Sequence, residues 1–176
     1  MAGPDKAESA RVSSYLLAQG EKHSWLELWP RVVKGRLDFL DAIAGVSEEQ
    51  AAFHPQAGDW SIQEVAQHVL TSSQAVAGLI EALVAGKAGP DVANADRARE
   101  LASASLAELR RELLRGSVDF SAIGTRFPDD ASLEPTAPHP FFGPLHCRAW
   151  FLFQRVHDQD HARQVQAIKQ AAGYPG

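Results

Sequence analysis

Cysteine is nearly missing from this chain of 176 residues. Only Cys147 is present, so no internal disulfide can form. Long hydrophobic runs are also missing. The longest apolar stretch, Ala75 to Gly86, is interrupted by Glu81 and is too short to span a bilayer. The first residues, MAGPDKAESARVSSYLLAQGEKHS, lack the basic-then-apolar order of a signal peptide. Together these point to a cytoplasmic protein without a membrane partner. Positive charge is in deficit, with a formal net charge of −5 and no basic stripe interleaved with aromatics, which argues against nucleic acid as a partner. β-Branched residues rarely cluster, whereas alanine, leucine, glutamate, arginine and glutamine are plentiful, and that balance favours helix.

What is present is a series of helix signals in a chain of single-domain length. Residues 5–19 read either as a short extra helix, with Val12, Tyr15 and Leu16 on one side, or as a loosely held arm. The chain therefore divides into an N-terminal segment, 1–22, and a helical bundle, 23–174. Ser24-Trp-Leu-Glu27 has capping-box spacing. Pro30 follows as a kink or a first-turn proline, and Val32, Val33, Leu37, Leu40 and Ile43 recur at helical spacing toward a stop at Gly45. Ser47-Glu-Glu-Gln50 opens a short turn. Ser61-Ile-Gln-Glu64 is a further capping box, with Trp60 placed to staple onto Val65, and it predicts a helix from about 62 to 85 closed by Gly86. Residues 87–102 read as a crossover linker. Ser105-Leu-Ala-Glu108 opens a helix to about Ile123, with Gly124 after it. Residues 125–143 carry four prolines and read as a long irregular loop. A last helix then runs from Gly143-Pro144 to about Ala172 and stops at Gly173. No convincing strand pair is visible. The expected fold is all-α, a four-helix bundle with long crossover connections.

The chemistry lies in VHDQDH, residues 156–161. His157 and His161 are four apart, on an inward line with Trp150, Phe153, Val165 and Ile168. Side chains at that spacing are neighbours on a helix, and two imidazoles so placed can share one ion. On the earlier helix, the line Val65, His68, Ser72, Val76, Leu79, Leu83 is apolar except for His68 and small Ser72. His68, His157 and His161 on facing helices would supply three nitrogen ligands and leave a coordination position open, as in catalytic rather than structural zinc sites. The plainer alternative is three hydrogen-bonded core histidines. The remaining four, His23, His54, His139 and His146, read as surface or capping residues, with His139 in the long loop within reach of a substrate. HDQDH fails as a zinc-protease motif because Asp158 replaces the glutamate and residues 162–176 hold no acid. Glu64 is a candidate proton acceptor or ring-orienting group whose competing role is the capping box. Asp158 and Asp160 are candidates to support a histidine ring, with solvated helix acids as the alternative. Gln164 is a candidate to reach the open side of the ion. Cys147 reads as a small core residue, two and a half turns from His157. Phe141 and Phe142 offer an apolar wall or lid.

DWSIQEVAQHVL followed by HPFFGPLHCRAWFLFQRVHDQDHARQVQAI resembles the DinB/YfiT-like superfamily of metal-dependent helical bundles. The resemblance rests on Trp60-Ser61 with His68, on His139-Pro140 with Gly143, and on His157, His161 and Gln164, and it covers residues 25 to 172. It implies a bundle that is often a homodimer. It also implies a divalent ion, zinc or nickel, on His68, His157 and His161. For activity it implies a thiol S-transferase or hydrolase-like enzyme that activates a thiol or water, with a low-molecular-weight thiol as co-substrate or another small molecule as substrate. The alternative from a different class is a non-catalytic binding or stress-response bundle whose metal is structural or absent.

Overall fold

The computed structural model describes residues 5–87, 89 and 104–176. The crossover linker expected at 87–102 lies almost wholly outside the described residues. Among the described residues, six helices and one hairpin follow in order: α1 (Lys6–Lys22), α2 (Trp25–Ala42), α3 (Glu48–Ala51), α4 (Ile62–Val84), α5 (Leu106–Arg126), β1 (Thr136–His139), β2 (Gly143–His146) and α6 (Cys147–Lys169).

The helix starts follow from local chemistry. Ser24, Ser47, Ser61 and Ser105 each accept from the backbone N–H three residues on, and the Glu or Gln there returns a bond to the serine N–H. Each box satisfies two donors that the first turn would otherwise leave unpaired. Glu48 adds a bond between elements, its carboxylate accepting from Leu106 N (3.0 Å) and Ala107 N (3.3 Å) at the positive end of α5.

Helices α2 and α4 each pack against both α5 and α6, and these four form the bundle. Its core divides into two clusters. Trp25, Leu28, Phe120, Trp150 and Phe151 anchor one, where Phe120 stacks on Phe151 at 5.4 Å. Phe39, Ile43, Ile62, Leu109 and Val165 anchor the other. Within the N-terminal segment, α1 packs on α6 and β2 and buries Leu16 and Gly20. No helix among the described residues is long and apolar enough to cross a membrane.

Several expectations are corrected. Residues 125–143 are not one irregular loop. Strands β1 and β2 pair antiparallel with Thr136 opposite His146 and His139 opposite Gly143, whose φ of +71° suits the turn. Pro144 therefore lies in a strand rather than in the first turn of α6. That helix begins at Cys147, behind His146, which takes the capping role of the two expected for it, accepting from Ala149 N, and is buried. It ends at Lys169, short of Ala172. Helix α5 runs through Gly124 to Arg126, because Gly124 is a packing glycine: a Cβ there would sit 3.2 Å from Trp29 Cδ1. Pro30 is not a first-turn proline but lies inside α2, which continues through it. The inward face of α2 is Trp25, Leu28, Val32, Arg36 and Phe39, whereas Leu37 is exposed. Arg36 takes the inward place, for a reason that lies on α6.

Candidate metal centre

Helix α4 carries His68 two turns in from its cap, and α6 carries His157 and His161 one turn apart. Packing α4 on α6 brings the three rings together. One ring nitrogen from each lies within 4.8 Å of the others, and all three residues are half-buried. His68 Nε2 and His157 Nε2 are 3.0 Å apart. Ring centroids stand 4.5 Å apart for His157–His161, 4.8 Å for His68–His161 and 5.1 Å for His68–His157. Trp60, just before the α4 cap, lies parallel to the His161 ring at 6.3 Å and tilted against His68 at 4.9 Å. Phe153 borders His157 at 5.5 Å.

On α6 the outer nitrogen of His161 meets an acceptor, whereas that of His157 stands 3.4 Å from the donor Gln154 Nε2. His161 Nδ1 donates to Gln164 Oε1 at 2.8 Å, which leaves its Nε2 with a free lone pair. Gln164 is thus corrected from a residue at the open side of an ion to one behind the ring. His157 Nδ1 lies 3.6 Å from Asp158 Oδ1. Asp158 is not a solvated helix acid. It is wholly buried, receives Arg36 Nε on Oδ2 at 2.7 Å, and receives Gln154 Nε2 on Oδ1 at 2.6 Å. Burial opposes its ionisation, but the Arg36 guanidinium and the bond from His157 outweigh that and hold the carboxyl below its usual range.

Two of the three rings are kept uncharged. Burial, then repulsion from His157 and His161, drives the His68 pKa down to about 3. Burial and repulsion from His157 bring His161 to about 4, against a smaller opposing bond from Gln164. Neutral imidazoles are the form that ligates. Nitrogens sharing one tetrahedral ion at about 2.0–2.1 Å stand about 3.3 Å apart. The 3.0 Å pair and the third ring within 4.8 Å reach that arrangement by small side-chain shifts, so the donor set fits a divalent ion.

Other candidates separate from the site. Glu64 is occupied by the capping box, with Ser61 N at 2.8 Å, and stands beside exposed His54. Asp160 is exposed and pairs with Arg163. Cys147 is buried, and burial raises its thiol pKa, which disfavours the thiolate. His23 ends α1, and His146 caps α6. His139 is no surface residue. It is half-buried among Phe142, Trp150 and Phe153, at 4.5, 5.2 and 4.5 Å. Phe142 is 9 % exposed and Phe141 53 %, so Phe142 forms wall while Phe141 faces solvent. Sequence reasoning missed Arg36, Gln154 and the contacts of Trp60. The signal for Arg36 was there: it lies four residues after Val32 on an apolar stripe, where an arginine needs a buried acid.

Comparison with known proteins agrees with this architecture. The "Uncharacterized protein YuaE" of Bacillus subtilis (strain 168) is 27 % identical over 157 residues, covering 78 % of this chain and 94 % of that protein. The solved structure titled "Crystal structure of TT2238, a four-helix bundle protein" superposes with a TM-score of 0.50 at 23 % identity, covering 82 % of this chain and 99 % of the other, and supports the fold. Residues 31–165 match the family described as the DinB superfamily, a span that includes all three clustered histidines. The chain belongs to the DinB superfamily.

Proposed function

We propose that this chain is a metal-dependent enzyme in which His68, His157 and His161 hold one divalent ion, zinc or nickel, and leave a position open for a thiol or water. The observation that carries the reading is the cluster itself: three half-buried rings from two helices with nitrogens within 4.8 Å, two of them strongly disfavoured from protonation. When bound, such an ion deprotonates a thiol or brings water to a pKa of about 7, either of which is a nucleophile at neutral pH. The chain's own residues orient and shield. Gln164 fixes the tautomer of His161, and Asp158, kept ionised by Arg36, faces Nδ1 of His157. Trp60 and Phe153 limit water on two sides of the rings. The reaction class this supports is thiol transfer or hydrolysis on a small molecule.

The test is elemental analysis of untagged protein beside His68→Ala and His161→Ala, followed by a screen of small thiols and hydrolysable esters on loaded protein. About one ion per chain, lost in both variants, supports the site. An empty wild-type protein after zinc and nickel have been offered rejects it. One distance favours a second reading: 3.0 Å between His68 Nε2 and His157 Nε2 is also a hydrogen bond, which would suit a non-catalytic bundle in which the two rings share a proton. Melting with and without chelator separates the two, because only a bound ion adds stability that chelation removes.

A further inference from the structure

His139 is an imidazole whose tautomer is fixed by the backbone. At the tip of the β1–β2 hairpin its Nδ1 accepts from Phe141 N at 3.1 Å and from Phe142 N at 3.2 Å. A nitrogen that accepts two N–H groups carries no proton, so the hydrogen of the neutral ring is on Nε2. That N–H has no hydrogen-bond partner among the described residues. Mobility does not explain this, because the ring is clamped. It stacks on Phe142 at 15°, meets Phe153 edge-on, and lies against Trp150, which itself donates Nε1–H to Ala137 O of β1 at 3.3 Å. The nitrogen is not among the buried unpaired atoms of the described residues, so this oriented donor is open to an acceptor from outside the protein.

The ring also belongs to the neighbourhood of the three clustered histidines. Phe153 touches both His139 and His157, at 4.5 and 5.5 Å. Burial, and then repulsion from His157, lowers His139 to about 4, so it stays neutral and a donor throughout the physiological range. The charge nearby is favourable to an anion. Three neutral imidazoles would leave the full double charge of an ion uncompensated, and the one acid behind them, Asp158, is already neutralised by Arg36. Exposed Phe141, 6.0 Å from the His139 ring, adds apolar surface beside it.

We infer that His139 is a substrate-binding residue, whose Nε2–H holds a carboxylate oxygen of a small acid with an apolar body, seated between the hairpin tip and the three-histidine cluster. The inference rests on the metal reading above and names a ligand class for it.

The test uses cobalt-loaded full-length protein titrated with benzoate, followed by the visible absorption of the ion. Two variants divide the roles of the ring. In His139→Asn the amide oxygen takes the place of Nδ1 and keeps the backbone bonds but removes the distal donor. In His139→Gln the amide reaches the place of Nε2 and keeps the donor but loses the cap. The expected result is benzoate binding weakened about tenfold or more in His139→Asn and within about threefold of wild type in His139→Gln, with cobalt stoichiometry unchanged in both; a hydrogen bond to a charged group supports a loss of that size. Benzoate binding by His139→Asn at wild-type strength overturns the inference. So does equal weakening in both variants, which would mean the ring acts only by holding the turn. Wild-type protein that takes up cobalt but not benzoate overturns this inference and leaves the metal reading standing. Protein that takes up no cobalt overturns both.

Discussion

Arg36 of α2 and Asp158 of α6 form an ion pair with essentially no exposure to water, 5 % and 0 %, and the same carboxylate faces Nδ1 of His157. A carboxylate in that position can only stay charged because the guanidinium meets it with Nε at 2.7 Å and Nη2 at 3.4 Å, while Gln154 occupies a further acceptor site. The pair thus links the packing of α2 on α6 to the orientation of one histidine in the cluster.

Removing one partner strands the other. Arg36→Met is expected to cost about 3–5 kcal/mol, because it leaves a buried charge uncompensated. Arg36→Met combined with Asp158→Leu is expected to recover most of that loss, since an apolar pair of similar volume avoids the desolvation. Urea unfolding of the two variants beside wild type measures both. A double variant no more stable than the single one would show that the pair holds the bundle through something other than mutual charge compensation. The double variant still loses the carboxylate beside His157, so its ion affinity is expected to remain low even where its stability returns.

Gln164 makes the complementary case, a supporting residue at the edge of the core. Gln164→Leu removes the acceptor for His161 Nδ1–H. Partners of this kind are worth about 10–100-fold in metal affinity. The expected outcome is zinc affinity lower by a factor in that range, read by competition with a chromophoric chelator, with a melting temperature of the metal-free protein within a few degrees of wild type. An unchanged affinity would indicate that His161 orients without Gln164.

Protons compete for the same rings. In the folded state His68 sits at about 3, and His139 and His161 at about 4, whereas an unfolded histidine titrates near 6.5. Between those values the unfolded chain binds more protons than the folded one, so stability rises with pH there and falls as the pH drops. The metal-free protein is expected to keep its full stability above about pH 6.5 and to lose it progressively as the pH falls toward 4. His68→Leu removes one of these groups and should flatten the slope of melting temperature against pH between 6.5 and 4.5. A slope unchanged from wild type would show that His68 is not held neutral by the fold. The zinc-loaded protein should show a steeper fall, because protonation also expels the ion.

Much of this site is legible in the sequence, and the part that is not has identifiable causes. His68, His157 and His161 can be placed on inward faces because each recurs with apolar residues at steps of three and four, a local pattern that tertiary packing preserves. The capping serines are legible for the same reason, since both halves of each box lie within four residues. The hairpin is hidden because prolines read as strand breakers. Pro138 and Pro144 lie opposite each other in the ribbon, and such a pair is tolerated where neither residue needs to donate across it. Arg36 and Asp158 are 122 residues apart, and nothing local in either stretch names the other. His139 reads as surface in a proline-rich loop because two of the aromatic residues that enclose it, Trp150 and Phe153, come from α6.

The docking of α1 gives a last test, one that separates fold from site. Gly20 lies where α1 crosses the start of α6, and a Cβ there would stand 2.5 Å from His146 Cε1 and 2.9 Å from Ala149 N. The second of these is backbone, inside the bond by which His146 Nδ1 caps α6 at 3.2 Å, so neither neighbour can yield without loosening the other. Gly20→Ala is therefore expected to push α1 off the bundle and to destabilise the protein by about 1–3 kcal/mol, the usual penalty for overpacking, although alanine is the better helix former by nearly 1 kcal/mol. His157 lies eleven residues beyond His146, about 16 Å along the helix axis. The visible spectrum and stoichiometry of bound cobalt should then match wild type at a temperature where both proteins are folded. An altered spectrum would mean that α1 sets the position of α6 at the histidine cluster. Unchanged stability would mean that the two helices cross with more room than the close approach of Gly20 to His146 allows.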